Sequence, residues 1–131
     1  MVEASTTVRV RYAETDRMGV VYYANYFVWF EVGRCELLRT LGWTYRDMED
    51  NGVSLPVVEA SCAYLKPSFY DDELEVRTVG RLLSRVRIGF DYQVVRAGDG
   101  TLTATGRTLH ATLNRNRRPC RLPEAIRKAL T

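Results

Sequence analysis

One helical stretch followed by four consecutive strand-like stretches is the feature that most restricts this chain. From Ala24 onward, Phe27, Phe30, Cys35, Leu37, Leu38 and Leu41 recur at helical spacing and cover a wide apolar face. The pattern predicts one long helix over 25–41, with Asn25 as N-cap and Gly42 just past its end. A short helix is expected within 44–52. After Gly52 the period drops to two. Val53–Leu65, Leu74–Leu83, Val86–Val95 and Thr101–Leu113 all read as strands, with Ala97-Gly98-Asp99-Gly100 as a hairpin turn. Ahead of the helix, Val8, Val10 and Tyr12 alternate with Arg9 and Arg11, a further strand over 6–13. Pro123–Leu130 closes the chain as a short helix. Four strands in a row cannot form a doubly wound parallel sheet, because each parallel crossover needs its own helix. The economical solution is α+β: one antiparallel sheet curling around the single apolar helix, which should be largely wrapped.

At 131 residues the chain is expected to be one domain over 1–131, long enough to bury a core unaided. With 46% hydrophobic residues it is too apolar for a disordered protein. No apolar run approaches the ~18–20 residues that span a bilayer. Residues 1–7 lack the basic-then-apolar order of a secretory signal, so a soluble, cytoplasmic protein is expected. Cys35, Cys62 and Cys120 stand far apart; Cys35 and Cys62 read as small core residues, and no metal cluster is indicated. Only Lys66 and Lys128 are lysines, so 17 of the 19 basic residues are arginine. Surface ion pairs explain most of that excess, while a few arginines could hold a phosphorylated ligand. Nucleic acid is a weak alternative: the net charge is only +3 and no recognition motif is present.

Chemistry concentrates in Tyr12-Ala13-Glu14-Thr15-Asp16-Arg17-Met18-Gly19-Val20-Val21-Tyr22-Tyr23-Ala24-Asn25-Tyr26-Phe27, an acidic loop feeding the start of the long helix. The first turn of a helix presents unpaired N–H groups and a partial positive charge. Such an end can polarise a carbonyl oxygen. A loop folding back would bring the Asp16 carboxylate to the same place, as base toward water or as nucleophile. The bland alternative is that Asp16 caps a turn.

This segment resembles the signature of the 4-hydroxybenzoyl-CoA thioesterase family of hotdog-fold enzymes, which includes the Tol-Pal-associated acyl-CoA thioesterases. The resemblance continues in A-Y-L-K-P-S-F-Y-D-D-E-L-E-V-R-T at 63–78 and R-P-C-R-L-P at 118–123. It implies the hotdog fold, a long central helix wrapped by a curved antiparallel sheet. It also implies hydrolysis of an acyl-CoA thioester without metal or redox cofactor. By position, Asp16 matches the family's catalytic aspartate. Tyr23 matches the helix-start residue whose backbone N–H polarises the thioester carbonyl. Many Tol-Pal-type members carry His there; Tyr23 removes a side-chain acid or base and leaves the backbone role. Tyr12 matches a tyrosine that orients the aspartate, or is simply a core-facing strand aromatic. Arg85 and Arg87 are the first candidates for the coenzyme A phosphates, with Arg115, Arg117 and Arg118 as a second basic cluster. The resemblance further implies a homodimer or homotetramer with the site between subunits, and an acyl carrier protein is a conceivable source of the acyl group.

Other residues read as structural. Glu31 is expected to pair with Arg34. His110, the only histidine, is expected on a strand surface or at an interface. Two rival functions remain: a non-catalytic acyl-CoA or carrier-protein binding module, and an enoyl-CoA hydratase on the same fold. The hydratase is opposed because no His follows Asp16 within a few residues.

Overall fold

The computed structural model describes residues 1–131. In chain order the elements are β1 (Val2–Arg9), a 3-10 turn (Tyr12–Glu14), α1 (Asn25–Thr40), α2 (Tyr45–Asp50), β2 (Val57–Tyr64), β3 (Glu73–Ser84), β4 (Arg87–Arg96), β5 (Leu102–Ala111) and α3 (Glu124–Leu130). The strands form one antiparallel sheet in the order β1-β3-β4-β5-β2. Two hairpins hold the centre. The strands on either side of α1 in the chain therefore lie at opposite edges, about 19 Å apart at the usual strand spacing. The chain between them must cross the face of the sheet, and α1 makes that crossing. No helix is long and apolar enough to span a membrane.

The helix sits close to the sheet. It buries Tyr26, Trp29, Phe30, Gly33, Arg34, Leu37 and Leu38. The strands supply Leu74, Val76 and Thr78 from β3, Ile88, Phe90, Tyr92 and Val94 from β4, and Ala104 from β5. Phe30 stacks on Tyr92 at 4.3 Å between centroids and 11° between planes. Two glycines permit the approach: Gly33 lies over Val76 and Thr78, and Gly106 lies under the Phe30 ring, so a Cβ at either would overlap its neighbour. Gly42 (φ +85°) ends the helix. Its N–H donates to Arg39 C=O and the Trp43 N–H donates to Leu38 C=O, the paired bonds of a Schellman end.

Several expectations are corrected. Ala24, not Asn25, occupies the N-cap, and it does so without a side-chain bond. The Asn25 amide instead donates to Glu14 C=O at 2.9 Å, tying the preceding loop to the helix. β1 stops at Arg9 because Val10 turns to bond the backbone of Asp71 and Asp72, so Tyr12 is not a core strand residue. The helix is wrapped on one side only: Val28 is 54% and Val32 38% exposed. Cys35 and Cys62 are half-buried rather than fully buried, with Cys62 packed against the edge of the core. Arg34 is buried and donates from Nε to the Tyr45 hydroxyl at 3.0 Å, with no ion pair to Glu31.

His110 is fully buried, not at a surface. Its Nδ1 meets Leu55 C=O and its Nε2 the Thr108 hydroxyl, both at 2.9 Å. Burial pushes its pKa down from 6.5 to about 4, against a smaller raising effect from the Leu55 bond. A depressed folded-state pKa stabilises the fold above the unfolded value and loses that contribution as pH falls. Urea unfolding from pH 6.5 to pH 4 should therefore show a loss of about 3 kcal/mol from this residue. His110→Gln should flatten that part of the profile. A separate expectation concerns the close helix approach. Gly106→Ala should cost about 1–3 kcal/mol by overpacking, read as a lower urea midpoint.

Candidate active site

The loop between the 3-10 turn and α1 is a miniature hairpin. Asp16 N–H donates to Val20 C=O, and Gly19 N–H donates back to Asp16 C=O, both at 2.9 Å. Gly19 takes φ +78°, a conformation that suits glycine. The Asp16 side chain closes the turn, its Oδ1 accepting Met18 N–H at 2.9 Å. Tyr22 N–H reaches Glu14 C=O at 2.8 Å, and Val21 N–H reaches Ser68 C=O at 2.9 Å. The loop is thus stitched both to itself and to the segment after β2. Glu14, nearly buried, anchors the far side, its carboxylate accepting Arg11 N–H at 2.8 Å.

This stitching delivers Asp16 to the start of α1. One oxygen of its carboxylate is used in the turn; the other, Oδ2, accepts no hydrogen bond from the chain. At the helix start, Tyr22 C=O accepts Asn25 N–H at 3.0 Å and Ala24 C=O accepts Phe27 N–H at 3.2 Å. Tyr23 C=O accepts both Tyr26 N–H at 3.3 Å and the Tyr64 hydroxyl at 3.1 Å. The N–H groups of Tyr23 and Ala24 have no partner in the chain. Two adjacent free donors therefore stand at the positive end of a 16-residue helix. Asp16 and Tyr23 line one pocket of about 300 Å³ with Met18, Val20, Val21, Tyr26, Tyr64, Leu65, Lys66 and Pro67. The lining is mainly apolar, and Lys66 is its only cation. Tyr26, buried at the pocket floor, hydrogen-bonds Ser68 at 3.2 Å.

Asp16 and Tyr23 thus come together as the sequence suggests, whereas the other candidates stand apart. Tyr12 is 77% exposed and its ring packs edge-on against Tyr70 at 5.7 Å. It makes no hydrogen bond to Asp16, because β1 ends before it and the 3-10 turn directs it to Tyr70. Arg85 and Arg87 are exposed at the β3–β4 turn. The Asp16 loop lies by the opposite end of β3, whose 12 residues span roughly 35 Å at strand rise. Within one protomer these arginines do not join the Asp16 pocket. Arg115 donates to Asp50 C=O at 2.8 Å, a structural tie, while Arg117 and Arg118 sit exposed in the same turn. The sequence reading missed Tyr64 and Lys66 as pocket residues. The signal was present in the 63–78 motif, where both stand.

Known proteins share this chain's sequence pattern and fold. The sequence profile of the thioesterase-like superfamily matches residues 10–130. YneP of Bacillus subtilis is 43% identical over 99 residues, 75% of this chain and 72% of its own. The acyl-CoA thioester hydrolase YbgC of Escherichia coli O6:H1 is 32% identical over 90 residues, 69% of this chain and 67% of its own. The crystal structure of the DHNA-CoA thioesterase from Staphylococcus aureus superposes with a TM-score of 0.89 at 36% identity, covering 98% of this chain and 91% of that one. The single helix laid across an antiparallel sheet is thus the hotdog arrangement, and the relatives include acyl-CoA thioester hydrolases. With a profile match across nearly its whole length, a shared fold and relatives of this activity, the chain belongs to the thioesterase-like superfamily.

Proposed function

We propose that this protein hydrolyses acyl-CoA thioesters in the pocket between Asp16 and the start of α1. The observation that carries the reading is the unpartnered N–H of Tyr23, a residue that lines one pocket with the Asp16 carboxylate and its free oxygen, and the unpartnered N–H of Ala24 next to it in the chain. A thioester oxygen received by those donors gains stabilisation as it becomes an oxyanion, an effect worth about 10²–10³-fold in rate per donor. Asp16 then serves in one of two ways. As general base it takes a proton from water, and the water oxygen adds to the carbonyl carbon. As nucleophile it attacks that carbon directly, and water hydrolyses the resulting anhydride. In both, the C–S bond breaks and coenzyme A leaves as a thiolate, a good leaving group that needs little acid assistance. Tyr23 contributes its backbone, so the absence of an imidazole at this position is no obstacle.

The pocket walls suit an apolar or aromatic acyl group, through Tyr23, Tyr26 and Tyr64. A two-copy assembly is supported by surfaces one chain leaves bare: Val57 and Val58 on the edge strand β2, and Val28 and Val32 on α1. In such an assembly Arg85 and Arg87 of the second copy are the candidates for the coenzyme A phosphates. An acyl carrier protein would present the same thioester and belongs in the same substrate panel.

Asp16→Asn is the appropriate variant, because the amide oxygen can still accept Met18 N–H and keep the turn. It should cut thiol release from acyl-CoA at least about a hundredfold, with thermal midpoint and acyl-CoA binding unchanged. Undiminished turnover would refute the role of Asp16. A wild-type protein that binds short, long and aromatic acyl-CoAs yet releases thiol from none would be a binding module instead.

A further inference from the structure

The oxyanion site has a support that the reading above does not use. Tyr64, the last residue of β2, donates its hydroxyl to Tyr23 C=O at 3.1 Å. The other edge of that planar peptide unit is the Ala24 N–H, which points opposite to the carbonyl. A bond that fixes one edge therefore fixes the direction of the other. It also draws electron density through the unit, strengthening the N–H as a donor. The only other bond to the carbonyl is the long 3.3 Å contact from Tyr26 N–H. The Tyr64 ring is itself held, edge-on to Tyr26 at 5.3 Å and to Tyr23 at 6.2 Å. Its phenol is pushed up to about 12, chiefly by desolvation, so it remains a donor at neutral pH.

We propose that Tyr64 is a positioning residue of this site: its hydroxyl holds the Tyr23 carbonyl, and with it the helix-start backbone whose unpartnered Tyr23 and Ala24 N–H groups receive the thioester oxygen. The proposal rests on the thioesterase reading above. Tyr64→Phe removes only the hydroxyl and leaves the ring among its neighbours. With hexanoyl-, palmitoyl- and benzoyl-CoA as probes, kcat should fall about tenfold, less than loss of a direct donor, while KM stays the same. The carbonyl-13C form of the fastest substrate, bound to Asp16→Asn and to Asp16→Asn/Tyr64→Phe, supplies a readout that packing alone would not move. Its carbonyl stretch should be lowered in the first protein and return toward the free value in the second. Replacing Tyr64 with 4-aminophenylalanine, which keeps a donor, should restore both rate and frequency. An unchanged kcat, a loss seen only in KM, or a carbonyl frequency indifferent to position 64 would overturn the proposal. Wild-type protein inert toward all three substrates would instead overturn the thioesterase reading, and this proposal with it.

Discussion

Everything in this structure depends on the close crossing of α1 over the sheet. With β1 and β2 at opposite edges, the chain has to traverse the face between them, and it does so as a helix. Gly33 over β3 and Gly106 beneath Phe30 allow that helix to lie close enough for Phe30 and Tyr92 to stack. The crossing fixes where the helix begins. Its first turn meets the end of β2 through Tyr64 and the following segment through Tyr26 and Ser68. The loop that carries Asp16 is stitched to that same segment.

The convergence leaves a particular set of groups unused. A buried donor without a partner costs about 1–3 kcal/mol. The N–H groups of Tyr23 and Ala24 escape that cost because both residues are exposed and water can serve them. A ligand that displaces the water must replace those bonds, and a carbonyl gaining negative charge does so best. In the proposed reaction the apolar aromatic wall would strengthen that effect by lowering the local dielectric. Asp16 spends one oxygen on the turn that holds it in place and leaves the other without a partner in the chain. The turn-capping role and the proposed catalytic role are therefore compatible in one carboxylate.

Period made the architecture legible in the sequence. A single 3.6-residue stretch followed by four two-residue stretches admits few arrangements, and the α+β sheet with one helix is among them. Asp16 was legible near the helix start because a short loop before a helix can fold back only a few residues, whereas Tyr23 was singled out by the family resemblance. What failed was whatever depended on registration or on exact ends. β1 stops three residues before Tyr12, so that side chain never joins the strand face. Arg85 and Arg87 lie a full strand length from the pocket, a separation set by the uninterrupted run of β3. His110 shares the inward face of β5 with Thr108, and its two polar bonds let an imidazole sit in the core. The Arg34 side chain turns to Tyr45 rather than to Glu31, a tertiary choice that i,i+3 spacing cannot reveal. Tyr64 bonds a carbonyl 41 residues away along the chain, a contact no local pattern encodes.

The central claim is that the thioester oxygen sits on the helix-start amides with Asp16 beside the carbonyl carbon. A crystal structure with a ketone analogue of an acyl-CoA, carrying a methylene between carbonyl and sulfur, tests it most directly. The account predicts the ketone oxygen about 3 Å from the Tyr23 or Ala24 nitrogen. It also predicts Asp16 Oδ2 within about 3.5 Å of the carbonyl carbon, or joined to it through one water. A ketone oxygen bonded elsewhere, with Oδ2 out of reach of both carbon and water, would contradict it.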